Sequence, residues 1–225
     1  KKERAWQEPA TGGGVYSMKA LIQEGKKAPG VEVAPDDVAL FQYTGGTTGV
    51  PKAAMLSQRN IVSNVVQTNA WLPKSVAGGE VMLGAIPFFH VYGMTIAMLY
   101  GIYIGATMLV VPDPRRLDFL LQIIEKEHVT LFPGVPAMYI GILNHKDRDK
   151  YNLRTVKACI SGSAPLPMEV QEKFGEVTGG RLVEGYGLTE AAPVTHCNPV
   201  FGKRKSGSIG VPFPDVEARI VDLDS

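Results

Sequence analysis

The stretch Thr44-Gly45-Gly46-Thr47-Thr48-Gly49-Val50-Pro51-Lys52 concentrates groups that hold an anion. Its glycines let backbone N–H groups approach closely, its threonine hydroxyls donate hydrogen bonds, and Lys52 brings a point charge. That is the composition of a phosphate cradle. It is not a Walker A loop, because Ala53 follows the lysine and leaves no adjacent hydroxyl for a metal; G-x-G-x-x-G is absent too. A lone glycine-rich string is only a turn between strand and helix, but Thr47-Thr48 and Pro51-Lys52 make this one more specific. Further along, Gly185-Tyr186-Gly187 offers a tight strand exit beside a ring on which a purine can stack. Thr189-Glu190 places a hydroxyl next to a carboxylate, a pair suited to a magnesium ion that bridges phosphate oxygens. Gly162-Ser163-Ala164-Pro165 reads as a turn that starts a helix. His90, among Phe88, Phe89 and Tyr92, reads from its neighbours alone as a core histidine.

Such groups need strands that end side by side, and the apolar pattern supplies them. Residues 38–43 read as a strand, and Ser57 can cap a helix with Ile61, Val62, Val65 and Val66 on one face. Asp118 can cap a helix carrying Leu120, Leu121, Ile123 and Ile124, and 129–132 follows as a strand. Pro133 and Pro136 bracket a turn, 155–160 is a strand, Pro165 and Pro167 suit the start of a helix through about Val177, and 181–184 returns to the sheet. This alternation predicts an α/β fold with a mostly parallel sheet and flanking helices. Near Gly207 short strand-like pieces, including 216–221, announce a β-rich subdomain. The expected divisions are 1–75 with the phosphate loop, 76–204 with the remaining motifs, and 205–225. Stretches 11–14 and 25–30 read as loops.

Residues 81–111 contain no Asp, Glu, Lys or Arg, and Arg115 and Arg116 follow, which matches the length and flank of a membrane span. Pro87, His90 and several glycines interrupt the run, so strand, helix and strand, with the strands covered on both faces, fit it better. With 225 residues, 45% of them hydrophobic, the chain can bury a sizeable core. Its 23 Lys plus Arg against 22 Asp plus Glu give no electrostatic reason for a nucleic-acid partner. Cys159 and Cys197 form no ligand cluster and read as reduced, buried thiols of a cytoplasmic protein. The opening Lys-Lys-Glu-Arg, without a signal-peptide core, reads as the start of an excised segment.

In this order the motifs resemble the signatures of the adenylate-forming superfamily of acyl-CoA synthetases, luciferases and peptide-synthetase adenylation domains. The likeness runs from about Asp37 to Val221. Thr44 to Lys52 resembles its phosphate loop, 88–94 its aromatic-His segment, 161–166 its adenine-side loop, and Glu184 to Glu190 its nucleotide and magnesium signature. The stretch Glu184 to Pro193 combined with 207–212 is most similar to bacterial long-chain fatty-acid:CoA ligases.

The resemblance implies ATP/AMP, Mg2+ and coenzyme A as ligands and a fatty acid as substrate. Lys52 and its loop would hold the β- and γ-phosphates, Thr189 the α-phosphate and Glu190 the metal. Gly162 to Pro165, with Glu184, Gly185, Tyr186 and Gly187, would bind the nucleotide. His90 would orient the acyl group, and Val91, Gly93 and Met94, next in the charge-free run, are the candidates for an apolar acyl channel. It also implies that the family's ribose-binding aspartate and catalytic C-terminal lysine lie beyond Ser225, so the chain by itself is expected to be inactive. A noncatalytic nucleotide-binding module, or an enzyme for an aryl, short-chain or amino acid, are the alternatives. Peripheral contact with a membrane is compatible with a fatty-acid ligase; chain length, coenzyme A site and oligomeric state stay open.

Overall fold

The computed structural model describes residues 16–25, 30–44 and 52–222. They belong to two units, 1–34 and 35–225. The first contains α1 (Met18–Glu24), whose N-cap Ser17 accepts from the Ala20 N–H.

The second unit opens with β1 (Val38–Tyr43) and β2 (Ala53–Ser57), paired antiparallel with Phe41 opposite Met55 and Tyr43 opposite Ala53. The phosphate-loop string therefore joins two strands, not a strand and a helix. Ser57 caps α2 (Gln58–Trp71) through a reciprocal box: its hydroxyl accepts from the Asn60 N–H at 3.2 Å, and Asn60 Oδ1 accepts from the Ser57 N–H at 2.9 Å. The buried face of α2 is Ile61, Asn64, Val65 and Thr68, whereas Val62 and Val66 are exposed. The expected apolar stripe was too wide, because positions 62 and 66 lie about 100° round from 61 and 65.

A parallel sheet forms the centre. β3 (Val81–Gly84) pairs with β4 (Thr107–Val110), and β5 (Ala158–Ser161) with β6 (Arg181–Gly187). Segment 129–134 joins the two pairs, with Leu131 bridging to both Met82 and Ala158 and Gly134 bridging to Ser161. Its register is held by backbone bonds such as Leu83 N–H to Leu131 O and Phe132 N–H to Ala158 O. The crossovers are a π-helical segment (Gly93–Leu99) running into α3 (Tyr100–Tyr103), then α4 (Leu117–Lys126), α5 (Pro136–Leu143) and α6 (Met168–Thr178). The charge-free run thus folds as strand, helix, strand, and among the described residues no helix is long and apolar enough to cross a membrane. β4 lies at the sheet edge with Thr107 and Val110 exposed, so it is not covered on both faces as expected. Arg116, not Asp118, is the N-cap of α4; Asp118 sits in the first turn and meets His145 Nε2 at 3.0 Å.

Successive residues on the inner strands feed opposite faces, as the strand period requires. Leu83, Phe132, Cys159 and Leu182 pack with α4, α5 and α6, while Met82, Leu131, Ile160 and Val183 pack with Ile96, Tyr100 and Val65. Beyond the sheet, the end of β6 pairs antiparallel with β7 (Val194–Cys197), and β7 with β8 (Val211–Pro212). The expected strand at 216–221 has no ladder partner among the described residues and is irregular. Both cysteines are free and buried, and burial pushes both thiols up, which keeps them protonated.

Candidate active site

The carboxyl ends of β3, β5 and β6 converge, which is where open α/β sheets bind ligands. A cavity of about 220 Å³ opens there. Gly185, Tyr186, Gly187 and Thr189 come from the end of β6, Gly162 and Ser163 from the end of β5, and His90 and Val91 from the segment after β3. Segments expected to share chemistry, spread over a hundred residues of sequence, therefore line one space.

Its floor is fixed by two tyrosines. Tyr92 Oη donates to Ile160 O at 2.6 Å, and Tyr139 Oη reaches Phe132 O at 2.8 Å and Ile160 O at 3.2 Å. Burial holds both phenols well above their usual range, so they remain neutral donors. Gly162 lies against the Tyr92 ring, which a Cβ would approach to 3.2 Å, and a Cβ on Gly187 would come within 2.2 Å of Pro193 O. At Gly187 glycine is required by this close approach to backbone. Ser163 adopts φ 69, turning the loop after β5 toward the cavity. Tyr186 is 48% exposed and has the His196 ring edge-on at 6.4 Å, leaving ring surface open for stacking.

The other expected residues fall elsewhere. His90 is exposed at the cavity and not in the core; its Nδ1 accepts from the Tyr92 N–H at 3.2 Å. Its neighbours are aromatic, but Phe89 is 82% exposed, so the segment faces outward. Gly93 is wedged where a Cβ would meet Pro87 O at 2.3 Å, and Met94 packs with Leu56, Ile61 and Ala192; neither lines the cavity. Ala164 and Pro165 are exposed outside it. Glu184 is half-buried, and burial raises its pKa while a backbone hydrogen bond from Leu166 acts the other way; it braces the loop after β5 without reaching the cavity. Glu190 is exposed and turns away from Thr189's cavity into a second cleft of about 340 Å³, lined by Arg59, Asn60, Ser63 and Gln67 of α2. No described ion pair engages its carboxylate. A carboxylate that no described ion pair engages fits a hard cation that takes its remaining ligands from phosphate and water.

Residues 45–51 of the phosphate-loop string, including Gly45, Gly46, Thr47, Thr48 and Gly49, lie outside the described residues. Its ends are tied, with Lys52 O accepting from the Thr44 N–H at 3.0 Å and from Thr44 Oγ1 at 3.2 Å. Gln42 Nε2 donates to Phe89 O at 3.1 Å and links this hairpin to the His90 segment. Gln42 and Asn64 escaped the motif reading. The signal was available for Asn64, a polar residue on the face marked out by Ile61 and Val65.

Fold and cavity define an α/β domain with a ligand-sized space at the carboxyl ends of its parallel strands. The model of the AMP-binding enzyme family matches residues 2–225, and the chain belongs to that family. It is 52% identical over 184 residues to the long-chain-fatty-acid–CoA ligase of Bacillus subtilis strain 168, covering 82% of this chain and 33% of that protein. The crystal structure of apo MatB from Rhodopseudomonas palustris superposes with TM-score 0.78 at 29% identity, over 88% of this chain and 38% of that one. A long-chain-fatty-acid-CoA ligase from Archaeoglobus fulgidus gives 0.72 at 28% identity, over 86% and 40%. The chain thus spans about a third of the length of the curated relative it matches at 52% identity.

Proposed function

We propose that the protein containing this chain activates a carboxylic acid, of the long-chain fatty class, first as an acyl-adenylate and then as a coenzyme A thioester. The observation that carries this reading is the convergence of Tyr186, Thr189, Ser163 and His90 on one cavity at the carboxyl ends of parallel strands. In the first step a carboxylate oxygen attacks the α-phosphorus of ATP and pyrophosphate leaves. In the second the coenzyme A sulfur attacks the acyl carbon, loses its proton, and AMP leaves.

Negative charge builds on phosphate oxygens in the first step, so the chain's task is positioning and charge stabilisation. Tyr186 would stack on adenine, with Gly162, Ser163, Ala164 and Pro165 along its edge and Glu184 bracing that loop. Thr189 would donate to the α-phosphate, and Lys52 with the loop behind it to the β- and γ-phosphates. Glu190 would hold magnesium, which when bound neutralises phosphate charge. His90 and Val91 would face the acyl group, with Gly93 and Met94 behind them. The apolar wall of Val91, Ile160, Leu188 and Val194 suits an acyl chain, and relatives named for fatty acids support that class.

The division at 1–75, 76–204 and 205–225 belongs to the same reading, supported by the separate two-stranded sheet of β1 and β2. The deciding experiment is acid-dependent ATP:pyrophosphate exchange by the full-length protein with acids of graded length. Exchange greatest with long-chain acids is expected. Exchange only with aryl or short acids would overturn the fatty-acid class, and ATP binding with no exchange for any acid would overturn the ligase reading.

A further inference from the structure

The last residue of β2, Ser57, caps α2, so the helix continues directly from the hairpin that carries the phosphate loop. Two turns along it, Asn64 is 2% exposed on a face shared with Ile61 and Val65. A buried primary amide is costly unless its donor and acceptor are both matched. Both are matched by one residue far along the chain: Asn64 Nδ2 donates to Val194 O at 2.7 Å, and Asn64 Oδ1 accepts from the Val194 N–H at 3.1 Å.

Val194 begins β7 and ends the loop that carries Thr189 and Glu190. That loop is bonded to itself, with the Leu188 N–H donating to Pro193 O and the Ala191 N–H to Leu188 O. Ala192, 1% exposed, packs with Leu56 of β2 and Ile61 of α2. The ends of this loop are held by the β6–β7 pairing, with Gly187 opposite Val194, and from the α2 side by Asn64. Other side-chain stitches from α2 reach elsewhere: Arg59 Nε donates to Asp36 Oδ1 at 2.8 Å, Gln67 Nε2 to Pro214 O at 2.6 Å and Trp71 Nε1 to Asn198 O at 3.2 Å.

We propose that Asn64 is a positioning residue that fixes the Thr189–Glu190 turn against α2, the helix that continues from the β1–β2 hairpin. It rests on the reading above for which groups ATP touches. The hydrogen-bond geometry is independent of that reading.

The test uses the full-length protein and three variants. Asn64→Ala loses both bonds to Val194, and the rate of adenylate formation should fall about 10- to 100-fold, as expected for small misplacement of reacting groups, with the KM for the acid unchanged. Thr68→Val removes the buried bond from Thr68 Oγ1 to Asn64 O, 2.8 Å, within the same helix but leaves Val194 held, and should keep the wild-type rate. Asn64→Asp is the diagnostic variant. A protonated carboxyl offers the same donor and acceptor as the amide, whereas a carboxylate would face the Val194 carbonyl. Its rate should therefore approach wild type at low pH and fall relative to wild type as pH rises, while Asn64→Ala keeps the wild-type profile shape.

A folded Asn64→Ala, with an unfolding midpoint no lower than that of Thr68→Val, that retained the wild-type rate would overturn the proposal. So would an Asn64→Asp profile parallel to wild type. If the full-length protein formed no adenylate with any acid, the ligase reading would fall separately, and binding of a fluorescent ATP analogue would still decide the coupling. Weaker binding by Asn64→Ala but not by Thr68→Val supports it; equal binding by all overturns it.

Discussion

Tyr186, Thr189 and Glu190 occupy one turn but serve different spaces. Tyr186 and Thr189 line the cavity at the strand ends, and Glu190 lines the cleft beside α2. Their losses should therefore separate. Tyr186→Ala in the full-length protein should weaken ATP binding by about 1–3 kcal/mol, the usual worth of base stacking on an aromatic ring. Its magnesium requirement should stay put. Glu190→Ala and Glu190→Gln should both raise the magnesium concentration giving half-maximal exchange, because a hard cation loses a carboxylate that no described cation neutralises; titration of exchange rate against magnesium checks this. An unchanged requirement in both would return Glu190 to an ordinary surface turn. Lys52→Ala should cost about 10²-fold in pyrophosphate exchange and less in thioester formation from preformed adenylate, since pyrophosphate is present only in the first half. Equal losses would remove Lys52 from the β- and γ-phosphate role. The motif that brings Tyr186 and Thr189 to one cavity was legible because it is local in sequence. The exposure of His90 was not, since neighbouring Phe88 and Phe89 suggest a core, and only the turn after Pro87 aims the segment outward.

Strands and helices with a single strong period were legible, and those shaped by partners were not. β1 and α4 follow from apolar spacing and α2 from spacing with its Ser57 cap, but Ala53–Ser57 carries no alternation of its own and becomes a strand because β1 lies beside it. The 129–134 segment similarly owes its place to neighbours on both sides. Glu80 is the clearest polar contribution to that sheet. With its side chain 0% exposed, it accepts from Lys157 Nζ at 3.1 and 3.2 Å and from the Val76 N–H at 3.0 Å, joining the start of β3 to the start of β5 across the middle segment. Burial alone would raise its pKa, but hydrogen bonds from Thr130, the Val76 N–H and Lys157, with the lysine charge, outweigh it and hold the carboxyl low. A carboxyl depressed on folding stabilises above its unfolded pKa of about 4.3, and that contribution is lost as pH falls through the lower folded value. Glu80→Gln should thus destabilise by about 1–3 kcal/mol near neutrality, and the gap to wild type should close below about pH 4. Urea unfolding of both proteins across that range checks it. A pH-independent gap would assign the effect to packing.

Across the 35–225 unit, the large parallel sheet is covered by helices on both faces, while β1 and β2 form a sheet of two strands. Such a hairpin is marginal without further strands or a covering layer. Its outer face also carries Phe41, Tyr43 and Met55, 62%, 69% and 67% exposed and adjacent in register. That apolar face belongs to the element that bears the phosphate loop. In the relative that is 52% identical, two thirds of the protein lies outside the matched region, and residues there are available to cover such a face. The chain of residues 1–225 produced alone should then self-associate, because a contiguous apolar patch on an open two-stranded edge favours pairing with another copy. Sedimentation should show concentration-dependent species, and Phe41→Lys together with Met55→Lys should suppress them. The cavity at the ends of β5 and β6 depends on the large sheet, not on this hairpin, so weak nucleotide binding should persist in the suppressed variant and fall further with Tyr186→Ala. Acid-dependent pyrophosphate exchange should be undetectable in either form, since the chain matches only 33% of the length of its 52% identical relative and the proposed reading draws on groups outside that match. Robust exchange by this chain alone would mean that the whole catalytic apparatus lies within it, and would overturn the view that the rest of the protein completes the site.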